Sequence, residues 1–439
     1  MTQTSTRSPS TAIRPRRIAV HDYCGHPFQF ELSRELARRG HDVRHFFFAG
    51  DAGPKGATQR QPDDPDSFSV EPIAIGSTYS KTNLIRRRQA DVLYGKVAGQ
   101  RLEAFAPDVI ISGNTPLEAQ ASIIKSADRA GSAFVFWMQD FYSLAAAKIL
   151  ERKIPLLGHA VAAYYRHLEA RMLQRSDRVV VISEDFLGTL QELGVERKKT
   201  EVIPNWGALT EMPERPRDNA WATAHGLADK FVFLYSGTLA LKHNPDLLWQ
   251  LARHFEGDPE VRVVVVGAGV SFDMLRARRE AEHLANLVLL PLQPMEVFAD
   301  VLGSADVFVA LLENDAGPFS VPSKVLSYLC AGRPTLLSAP SDNLSARVLA
   351  RAGAGEAVPA GDAEALIGAA TRLRNEPQTR ARLGRAARRY AETTFDISLI
   401  ADRFEDVFAA ALRDKVGRST RSSKAVAEES GRHTSILRS

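Results

Sequence analysis

The chain has 439 residues, 44% of them hydrophobic, and a formal net charge of +4 at pH 7. This length exceeds what one hydrophobic core usually fills, so two domains are expected. No apolar run reaches the ~18 residues of a spanning helix and the polar N-terminus lacks a secretory pattern, so we expect a cytoplasmic protein.

The positive charge is concentrated at the two ends of the chain. Residues 1–17 carry four Arg and no acid, and residues 414–439 carry six Lys or Arg against three acids. We therefore predict disordered basic tails at 1–15 and 414–439, and no basic groove for nucleic acid between them. Cys24 and Cys330 match no metal or redox spacing, so no metal site is predicted and a reducing compartment is expected.

The first half of the chain alternates apolar runs with amphipathic segments. This pattern predicts a strand at 17–23, a helix at 28–40, a strand at 41–48, a long loop at 50–69, a helix at 84–105, a strand at 108–112, a helix at 117–130, a strand at 133–138, a helix at 155–175 and strands at 178–183 and 201–206. Such alternation is typical of a doubly wound parallel sheet.

Two positions at predicted strand ends are candidate site residues. Gly25 lies in the first strand-to-helix turn, where a glycine lets the backbone pass close to a ligand. Asp140 follows the strand at 133–138, at the sheet edge where ligands bind in such folds, although a helix N-cap would explain it equally well. His26, next to Gly25, is more often a structural or exposed histidine than a catalyst.

One region of the first half is both basic and aromatic. Residues 148–178 contain seven Lys or Arg against three acids, together with Leu156, Leu157, Tyr164 and Tyr165. The run Arg86-Arg87-Arg88 lies in the same half. Such a surface suits an anionic membrane or an anionic acceptor, and a solvated helix face is the simpler explanation.

A segment rich in proline and charge, 210–218, is the predicted linker between two domains. Beyond it the pattern predicts strands at 231–238, 261–269, 286–292, 305–312 and 334–338, with helices at 245–255 and 295–302. We expect two α/β domains of similar size, 16–209 and 219–394, facing one another across a cleft.

Two residues near the start of the second domain suit a diphosphate. Gly237 ends the first strand of that domain and Lys242 precedes its first helix. A glycine admits the phosphate to the backbone and a lysine neutralises it. Gly267-Ala268-Gly269 lacks the third glycine of a dinucleotide fingerprint, so we discount that interpretation.

The stretch 317–334 is the most informative in the sequence. Pro322 suits the first position of a helix and Gly332 the position just past its end. Ser320 and Ser323 then lie where free backbone N–H groups point outward, and Lys324 adds a positive charge, an arrangement that favours a phosphate. An ordinary capped helix with an exposed lysine would explain the same residues.

These motifs resemble those of retaining, family 4 type glycosyltransferases of the GT-B fold. The likeness is greatest to the bacterial subgroup that builds surface polysaccharides, including colanic-acid, O-antigen and fucosamine transferase-like proteins. It spans about residues 16–412 and rests on the segments 25–29, 35–41, 203–206, 235–242, 265–269, 321–324 and 331–334.

The resemblance implies an architecture and a reaction. It implies two Rossmann-like, doubly wound parallel-sheet domains, with the acceptor bound by the N-terminal one and a nucleoside-diphosphate sugar by the C-terminal one. A last helix, 395–413, would pack back on the N-terminal domain. No metal or other cofactor would be required, and the acceptor would be a saccharide or a lipid-linked saccharide at the inner face of the cytoplasmic membrane.

The resemblance also assigns roles to residues. It implies a catalytic role for Lys242, and Asp140 is the second catalytic candidate because of its place at the end of a predicted strand. The positions implied in donor binding are Gly25, Gly237, Lys242, Leu290, Leu292, Ser320, Ser323, Lys324 and Ser327. Among these, Lys242 and Gly237 would hold the diphosphate, and Gly25 would approach it from the opposite domain. The backbone around the two leucines would meet the base, while Ser320, Ser323 and Lys324 would flank the phosphates and the donor sugar.

One departure from the family pattern concerns two glutamates eight positions apart. They fall here on Phe319 and Ser327, so neither carboxylate is present. The second glutamate commonly binds the ribose hydroxyls, which Ser327 could do only weakly, while Glu313 and Asp315 are acids of the preceding loop. This departure keeps open a catalytically silent sugar-nucleotide-binding or scaffold protein. A non-hydrolysing sugar-nucleotide epimerase, which shares the two-domain architecture, is the other alternative.

Overall fold

The structure is a computed structural model. It describes residues 14–50, 55–76, 84–153, 155–240, 243–314 and 323–436, without the side chains at 84–85, 148–157 and 419–436. Among the described residues, no helix combines the length and the apolar character needed to cross a membrane.

The N-terminal domain is built on a parallel sheet with seven strands in the described residues. Their order across the sheet is β3-β2-β1-β4-β5-β6-β7. The elements are β1 (Arg17–Asp22), α1 (Pro27–Arg38), β2 (Asp42–Phe48), β3 (Phe68–Ile73), α2 (Leu84–Phe105), β4 (Val109–Gly113), α3 (Leu117–Ala130), β5 (Ala133–Met138), α4 (Tyr142–Lys153), α5 (Pro155–Arg175), β6 (Arg178–Val181), α6 (Phe186–Glu192), a 3-10 turn (Arg197–Lys199) and β7 (Thr200–Val202).

The C-terminal domain repeats this plan with six parallel strands in the described residues. Their order is β10-β9-β8-β11-β12-β13. The elements are α7 (Ala220–Ala224), β8 (Phe231–Thr238), α8 (Pro245–His254), β9 (Val261–Ala268), α9 (Val270–Glu282), β10 (Leu287–Leu290), α10 (Met295–Gly303), β11 (Val307–Leu311), α11 (Ser323–Cys330), β12 (Thr335–Ser338), α12 (Leu344–Ala352), β13 (Gly355–Val358), α13 (Ala363–Asn375) and α14 (Pro377–Thr394). The predicted α/β class with two doubly wound parallel sheets is confirmed.

Three sequence predictions in the first half need correction. The loop predicted at 50–69 ends earlier, because β3 begins at Phe68 and forms the sheet edge beside β2. Helix α4 was not predicted, and the strand predicted at 201–206 stops at Val202. Pro204, which has no N–H to donate, follows closely.

The last helix, α15 (Ile397–Ile436), crosses back from the C-terminal domain to the N-terminal one. Arg39, at the end of α1, donates to Asp402 at 2.8 Å and to Glu405 at 2.7 Å. Phe404 of the same helix packs on Trp137 of β5 with ring centroids 4.8 Å apart. One apolar cluster therefore runs from the first sheet through this helix into the second domain.

This helix continues past residue 413, the end predicted for it. Asp414 pairs with Arg178 at 3.0 Å, Lys415 with Asp128 at 3.3 Å, and Arg418 with an acid of the N-terminal domain. Asp414, Lys415 and Arg418, which the prediction placed in the tail, thus lie on this helix with partners on the N-terminal domain.

The segment between β7 and α7 is held by buried polar contacts. Trp206 Nε1 and the Thr210 hydroxyl both donate to the Glu31 carboxylate of α1, at 2.8 and 2.9 Å. Gly207 packs so closely on α11 that a Cβ would lie 2.8 Å from the Leu326 carbonyl oxygen. Glu211 is mostly buried beside Glu31, and burial, together with the Glu31 charge and against the Arg34 charge, raises the pKa of its carboxyl to about 7.

Replacing Glu211 should change how stability depends on pH. Because its folded-state pKa lies above the ordinary value of about 4.5, the folded protein holds a proton that the unfolded chain releases, so stability falls as pH rises from about 4.5 through 7. Glu211→Gln carries no such penalty and should be more stable than wild type at pH 8 by on the order of 1–3 kcal/mol, with a shallower fall in Tm between pH 5 and 8. Calorimetric Tm values across that range provide the measurement.

Glu214→Gln is the matched control, since Glu214 lies in the same segment with an exposed side chain. It should reproduce the wild-type pH profile. A Glu211→Gln profile parallel to wild type would show that the buried carboxyl is not protonated at neutral pH.

Candidate donor and acceptor site

The carboxyl ends of the strands in both sheets lie at the cleft between the two domains. Asp185, in the loop after β6, forms an ion pair with Arg347 of α12, the helix that follows β12. Both residues come from loops or helix starts beyond strand ends. The strand ends of the two domains therefore border one cleft, which is where ligands bind in doubly wound folds.

Gly237 and Lys324, predicted from separate motifs, are in contact. Gly237 has φ +120°, and a Cβ added there would lie 3.0 Å from Lys324 Cε. The Lys324 ammonium lies 5.2 Å from the centroid of the Tyr235 ring. Tyr328 of the same helix accepts the Ser236 N–H at 2.9 Å, which fixes α11 against the end of β8. We call this arrangement of Gly237, Tyr235 and Lys324 the donor corner.

The glycines of Gly267-Ala268-Gly269 let the carboxyl end of β9 and the start of α9 lie close to the end of β8. A Cβ at Gly267 would lie 2.6 Å from the Gly237 carbonyl oxygen, and one at Gly269 would lie 2.7 Å from that of Leu239. Gly269 also has φ +121°. The close packing of the two backbones therefore explains why both positions are glycine, and no bound dinucleotide is needed to explain them.

Hydrogen bonds among residues 235–243 hold the turn after β8. The Tyr235 hydroxyl donates to the Thr238 carbonyl at 2.9 Å, and His243 Nδ1 accepts the Ala240 N–H at 3.1 Å. Lys242 lies outside the described residues.

The remaining donor candidates of the C-terminal domain lie at the same edge. Ser323, the first residue of α11, is exposed. Ser327, one turn later, is half-buried. Leu290 is the last residue of β10, paired with Val266, and Leu292 follows it with 37% of its surface exposed. Ser320 lies outside the described residues.

Glu313, one of the two acids in the loop before α11, lies within the described residues. It follows β11, is half-buried, and its Oε1 is buried without a hydrogen-bond partner among the described residues. Asp315 lies outside the described part of the chain. Gly332 has φ +68° just past α11, as its place in the motif predicted.

On the N-terminal side, a buried carboxylate organises the turn that contains Gly25. Asp22 is fully buried at the end of β1, and its oxygens accept the backbone N–H groups of Cys24 and His26 and the Asn114 amide at 3.1 Å. His26 Nδ1 lies 3.2 Å from both carboxylate oxygens. Burial alone would raise the pKa of Asp22, but the contacts with His26 dominate and lower it to about 2.

Asp22 thus holds His26 at the rim of the cleft, where 36% of the histidine side chain is exposed. Local sequence pattern does not reveal this pair, because Asp22 reads as part of a strand and a lone histidine is more often structural. Gly25 itself has φ +76°, and the nearest atoms to an added Cβ are side-chain atoms at 3.6 Å. The glycine is therefore required by the turn's left-handed conformation.

Asp22, Cys24 and His26 are also the one group in the described residues whose ligand atoms lie close enough for a metal ion, within 4.8 Å of one another. Both Asp22 oxygens are already engaged by N–H donors. These hydrogen bonds explain why the three side chains lie close together.

Asp140 is exposed directly after β5, and the cap of the following helix comes from elsewhere. Glu169 of α5 accepts the N–H groups of Tyr142 and Ser143 at 3.0 and 3.4 Å, as well as the Ser143 hydroxyl. The N-cap explanation for Asp140 is therefore corrected. Burial of Glu169, against these hydrogen bonds, raises its pKa to about 7.

The same helix start is tied to the cleft. The Tyr142 hydroxyl donates to the Asn114 carbonyl at 3.1 Å, next to the Asp22–His26 pair. Gln139 accepts the Asn205 amide at 2.5 Å, while Gln139 Nε2 and Asn205 Oδ1 are buried without partners in the described residues. The structure thus assembles His26, Asn114, Gln139 and Asp140 at one edge.

Comparison with known proteins identifies the family. Residues 27–206 match the glycosyl transferase 4-like domain, and residues 219–390 match glycosyl transferases group 1. The chain belongs to the GT4-type glycosyltransferases. No curated protein sequence matches this glycosyltransferase.

Solved structures share the GT-B fold at low sequence identity. Anabaena HepE in complex with UDP-glucose is 15% identical with a TM-score of 0.64, covering 90% of this chain and 100% of its own. WaaG, a glycosyltransferase involved in lipopolysaccharide biosynthesis, is 16% identical with a TM-score of 0.61, covering 89% and 99%. A putative UDP-N-acetylglucosamine 2-epimerase from Listeria monocytogenes is 13% identical with a TM-score of 0.56, covering 88% and 94%. Since the last of these is an epimerase, the likeness shows the fold alone.

Gly237→Ala should weaken sugar-nucleotide binding by this glycosyltransferase. The substitution strains a backbone at φ +120° and places a methyl group 3.0 Å from Lys324. We expect a tenfold or larger rise in the dissociation constant of the nucleotide by isothermal titration calorimetry. Gly257→Ala, where a Cβ would meet open space, is the control and should bind as wild type does. If the two variants bound the nucleotide with equal affinity, Gly237 would not be part of the donor site.

Proposed function

We propose that this glycosyltransferase transfers a sugar, with retention of anomeric configuration, from a nucleoside diphosphate to a saccharide or lipid-linked acceptor in surface polysaccharide or glycoconjugate synthesis. The observation that carries the proposal is the contact between Gly237 and Lys324 at the carboxyl edge of the second sheet. Solved structures of HepE contain UDP, UDP-glucose, or UDP with glucose, which supports a sugar nucleotide as the donor here.

The proposed chemistry centres on the charge of the leaving diphosphate. As the glycosidic bond to phosphate breaks, negative charge grows on the leaving oxygen, and preorganised donors must meet it. Lys324, held over Tyr235, and Lys242 supply positive charge, and the start of α11 at Ser323 supplies backbone N–H groups. The released phosphate accepts the proton of the acceptor hydroxyl.

We assign the N-terminal edge to the sugar and the acceptor. The imidazole of His26, oriented by Asp22 and Asn114, can hydrogen-bond a sugar hydroxyl. Asp140 is exposed on the same edge and is our candidate for a further contact with the reacting hydroxyls. Position 327 holds no glutamate. Among the described acids, Glu313 is the nearest to it in the sequence, and it is our candidate for the contact with the ribose.

Removing either lysine should slow turnover without unfolding the protein. Loss of one charge-stabilising donor typically costs ~3 kcal/mol, so Lys324→Ala and Lys242→Ala are each expected to lower kcat by roughly 100-fold. Lys198→Ala, which removes an exposed lysine of the N-terminal domain, is the control. Nucleotide release from the donor gives the rate. Wild-type turnover in either cleft variant would refute its assigned role.

A donor panel distinguishes the proposed reaction from the alternatives. The protein is incubated with UDP-, GDP- and dTDP-sugars, with and without saccharide acceptors, and nucleotide and sugar are followed. Acceptor-dependent nucleotide release supports transfer. Binding without turnover supports the silent protein, and a changed sugar on an intact nucleotide supports the epimerase, whose fold the Listeria structure shares.

A lipid-linked acceptor would require the N-terminal domain to dock on a membrane. The proposed surface carries Arg86, Arg87 and Arg88 with Tyr164, which is 47% exposed. Arg88 pairs with Glu118 at 3.2 Å, so the attraction is smaller than the arginine count suggests.

Docking through this surface should depend on its arginines and on salt. Each basic residue near an anionic leaflet contributes roughly 1 kcal/mol, and screening removes this at 1 M salt, where the Debye length is about 3 Å. The full chain with Arg86, Arg87 and Arg88 changed to Gln should therefore cosediment less with anionic vesicles at low salt. A matched variant with Arg382, Arg385 and Arg389, three exposed arginines of α14, changed to Gln controls for net charge. Equal cosedimentation of both variants would assign any lipid binding to the basic chain ends.

A further inference from the structure

The start of α4 lies between two candidate residues of the N-terminal edge. Asp140 is two residues before it in the chain, and His26 lies on its other side, in the turn after β1. The strands β1, β4 and β5 are neighbours in the sheet. Because parallel strands end at the same edge, the loops that follow these three strands meet at the cleft.

The backbone of this helix start is held by a carboxylate from α5. The first N–H groups of a helix have no acceptor within the helix itself. Here Glu169, which is 0% exposed, accepts those of Tyr142 and Ser143 at 3.0 and 3.4 Å. Phe141, just before α4, stacks on Phe186 of α6 with ring centroids 5.0 Å apart. The neighbouring helices α5 and α6 therefore fix where α4 begins.

The side chain of Tyr142 carries this constraint to the loop after β4. Its hydroxyl donates to the Asn114 carbonyl at 3.1 Å. Asn114 has φ +53°, a left-handed conformation that is uncommon for residues other than glycine and that persists where surrounding contacts fix it. On its other side, the Asn114 amide donates to Asp22 at 3.1 Å and lies 3.3 Å from His26 Nδ1. Asn114 thus joins the start of α4 to the Asp22–His26 pair.

We propose that the start of α4 is the positioning element of the N-terminal edge. Glu169 holds its backbone and Tyr142 ties it to Asn114, so that Asp140 and His26 keep one arrangement toward the acceptor. Tyr142 and Glu169 are positioning residues, which act through the other two. This inference rests on the roles proposed above for Asp140 and His26.

Tyr142→Phe tests the tie, because it removes the hydroxyl and keeps the ring. The amide hydrogens of residues 24–26 report on the turn, since all three bond to Asp22. Without the Tyr142 hydroxyl, Asn114 is held from one side only and the turn loosens. In hydrogen exchange of the full chain, we expect these amides to exchange at least fivefold faster than in wild type.

Ser132→Ala is the matched control for this variant. Ser132 is 1% exposed and its hydroxyl donates to the Pro107 carbonyl at 2.7 Å, so the variant also loses a buried hydroxyl–carbonyl bond. Ser132 lies just before β5, at the end of that strand opposite to Asp140. Exchange of residues 24–26 should stay within twofold of wild type.

Turnover provides a second measurement, with the donor and acceptor that the donor panel identifies. Tyr142→Phe and Glu169→Ala should each lower kcat/KM for the acceptor at least fivefold. The Kd of UDP, whose proposed site is on the other domain, should stay within twofold of wild type. Asp177→Ala is the control for Glu169→Ala, because Asp177 is also a buried carboxylate and accepts the Phe134 N–H at 2.8 Å, at the amino edge of the sheet.

Four results would overturn the proposal. The first is exchange of residues 24–26 in Tyr142→Phe within twofold of wild type, and the second is an equal increase in Ser132→Ala. The third is faster exchange in Tyr142→Phe with a wild-type kcat/KM, which would make the tie structural only. The fourth is a loss of UDP affinity as large as the loss of kcat/KM, which would mean that the whole cleft is disturbed.

The proposed function can fail separately from this inference. If the wild-type chain transfers no sugar in the donor panel, the proposed function is wrong. The exchange rates of Tyr142→Phe and Ser132→Ala still decide whether the start of α4 holds the turn.

Discussion

The architecture depends on the return of α15 to the N-terminal domain. Arg39 is shared between Asp402 and Glu405 of that helix and also pairs with Glu35 at 3.0 Å. Desolvation would lower the pKa of this guanidinium, yet its three carboxylate partners raise it instead. With Phe404 packed on Trp137, the contact fixes the two sheets so that their carboxyl edges border one cleft. Every assignment of donor and acceptor residues presupposes that arrangement.

Buried carboxylates organise the N-terminal side of the cleft, and their surroundings give them different charges. Asp22 has an imidazole and three N–H donors around it, and its pKa falls to about 2 despite full burial. Glu169 has neutral donors only, and burial raises its pKa to about 7. Asp22 is therefore a permanent anion that orients His26, whereas Glu169 caps α4 in a state that changes near neutral pH.

Elements with a strong local pattern could be predicted from the sequence. The bounds of β5, β8, α2 and α3 agree with the predicted segments. The two strands are continuous apolar runs, and α3 is an amphipathic segment that ends at Gly131. The motifs of Gly237 and Lys324 were each predicted to lie at the carboxyl edge of the second sheet, and the structure shows the two residues in contact there. β3 was missed because its alternation is weak and it contains Pro72.

Contacts between residues far apart in the chain could not be predicted from the sequence. Asp140 has the position of a cap, but the cap is Glu169, 27 residues from Tyr142. Asp22 and Asn114 meet only because β1 and β4 are neighbours in the sheet. Arg39 and Asp402 are separated by 363 positions, and no local pattern marks either as a partner.

The central claim is that the sugar nucleotide binds with its diphosphate at the donor corner. The most direct measurement is a crystal structure of the chain with UDP. The account predicts the diphosphate in van der Waals contact with Gly237 and within hydrogen-bond distance of Lys324 Nζ, with the base beside Leu290 and Leu292. A diphosphate bound away from both Gly237 and Lys324 would contradict it.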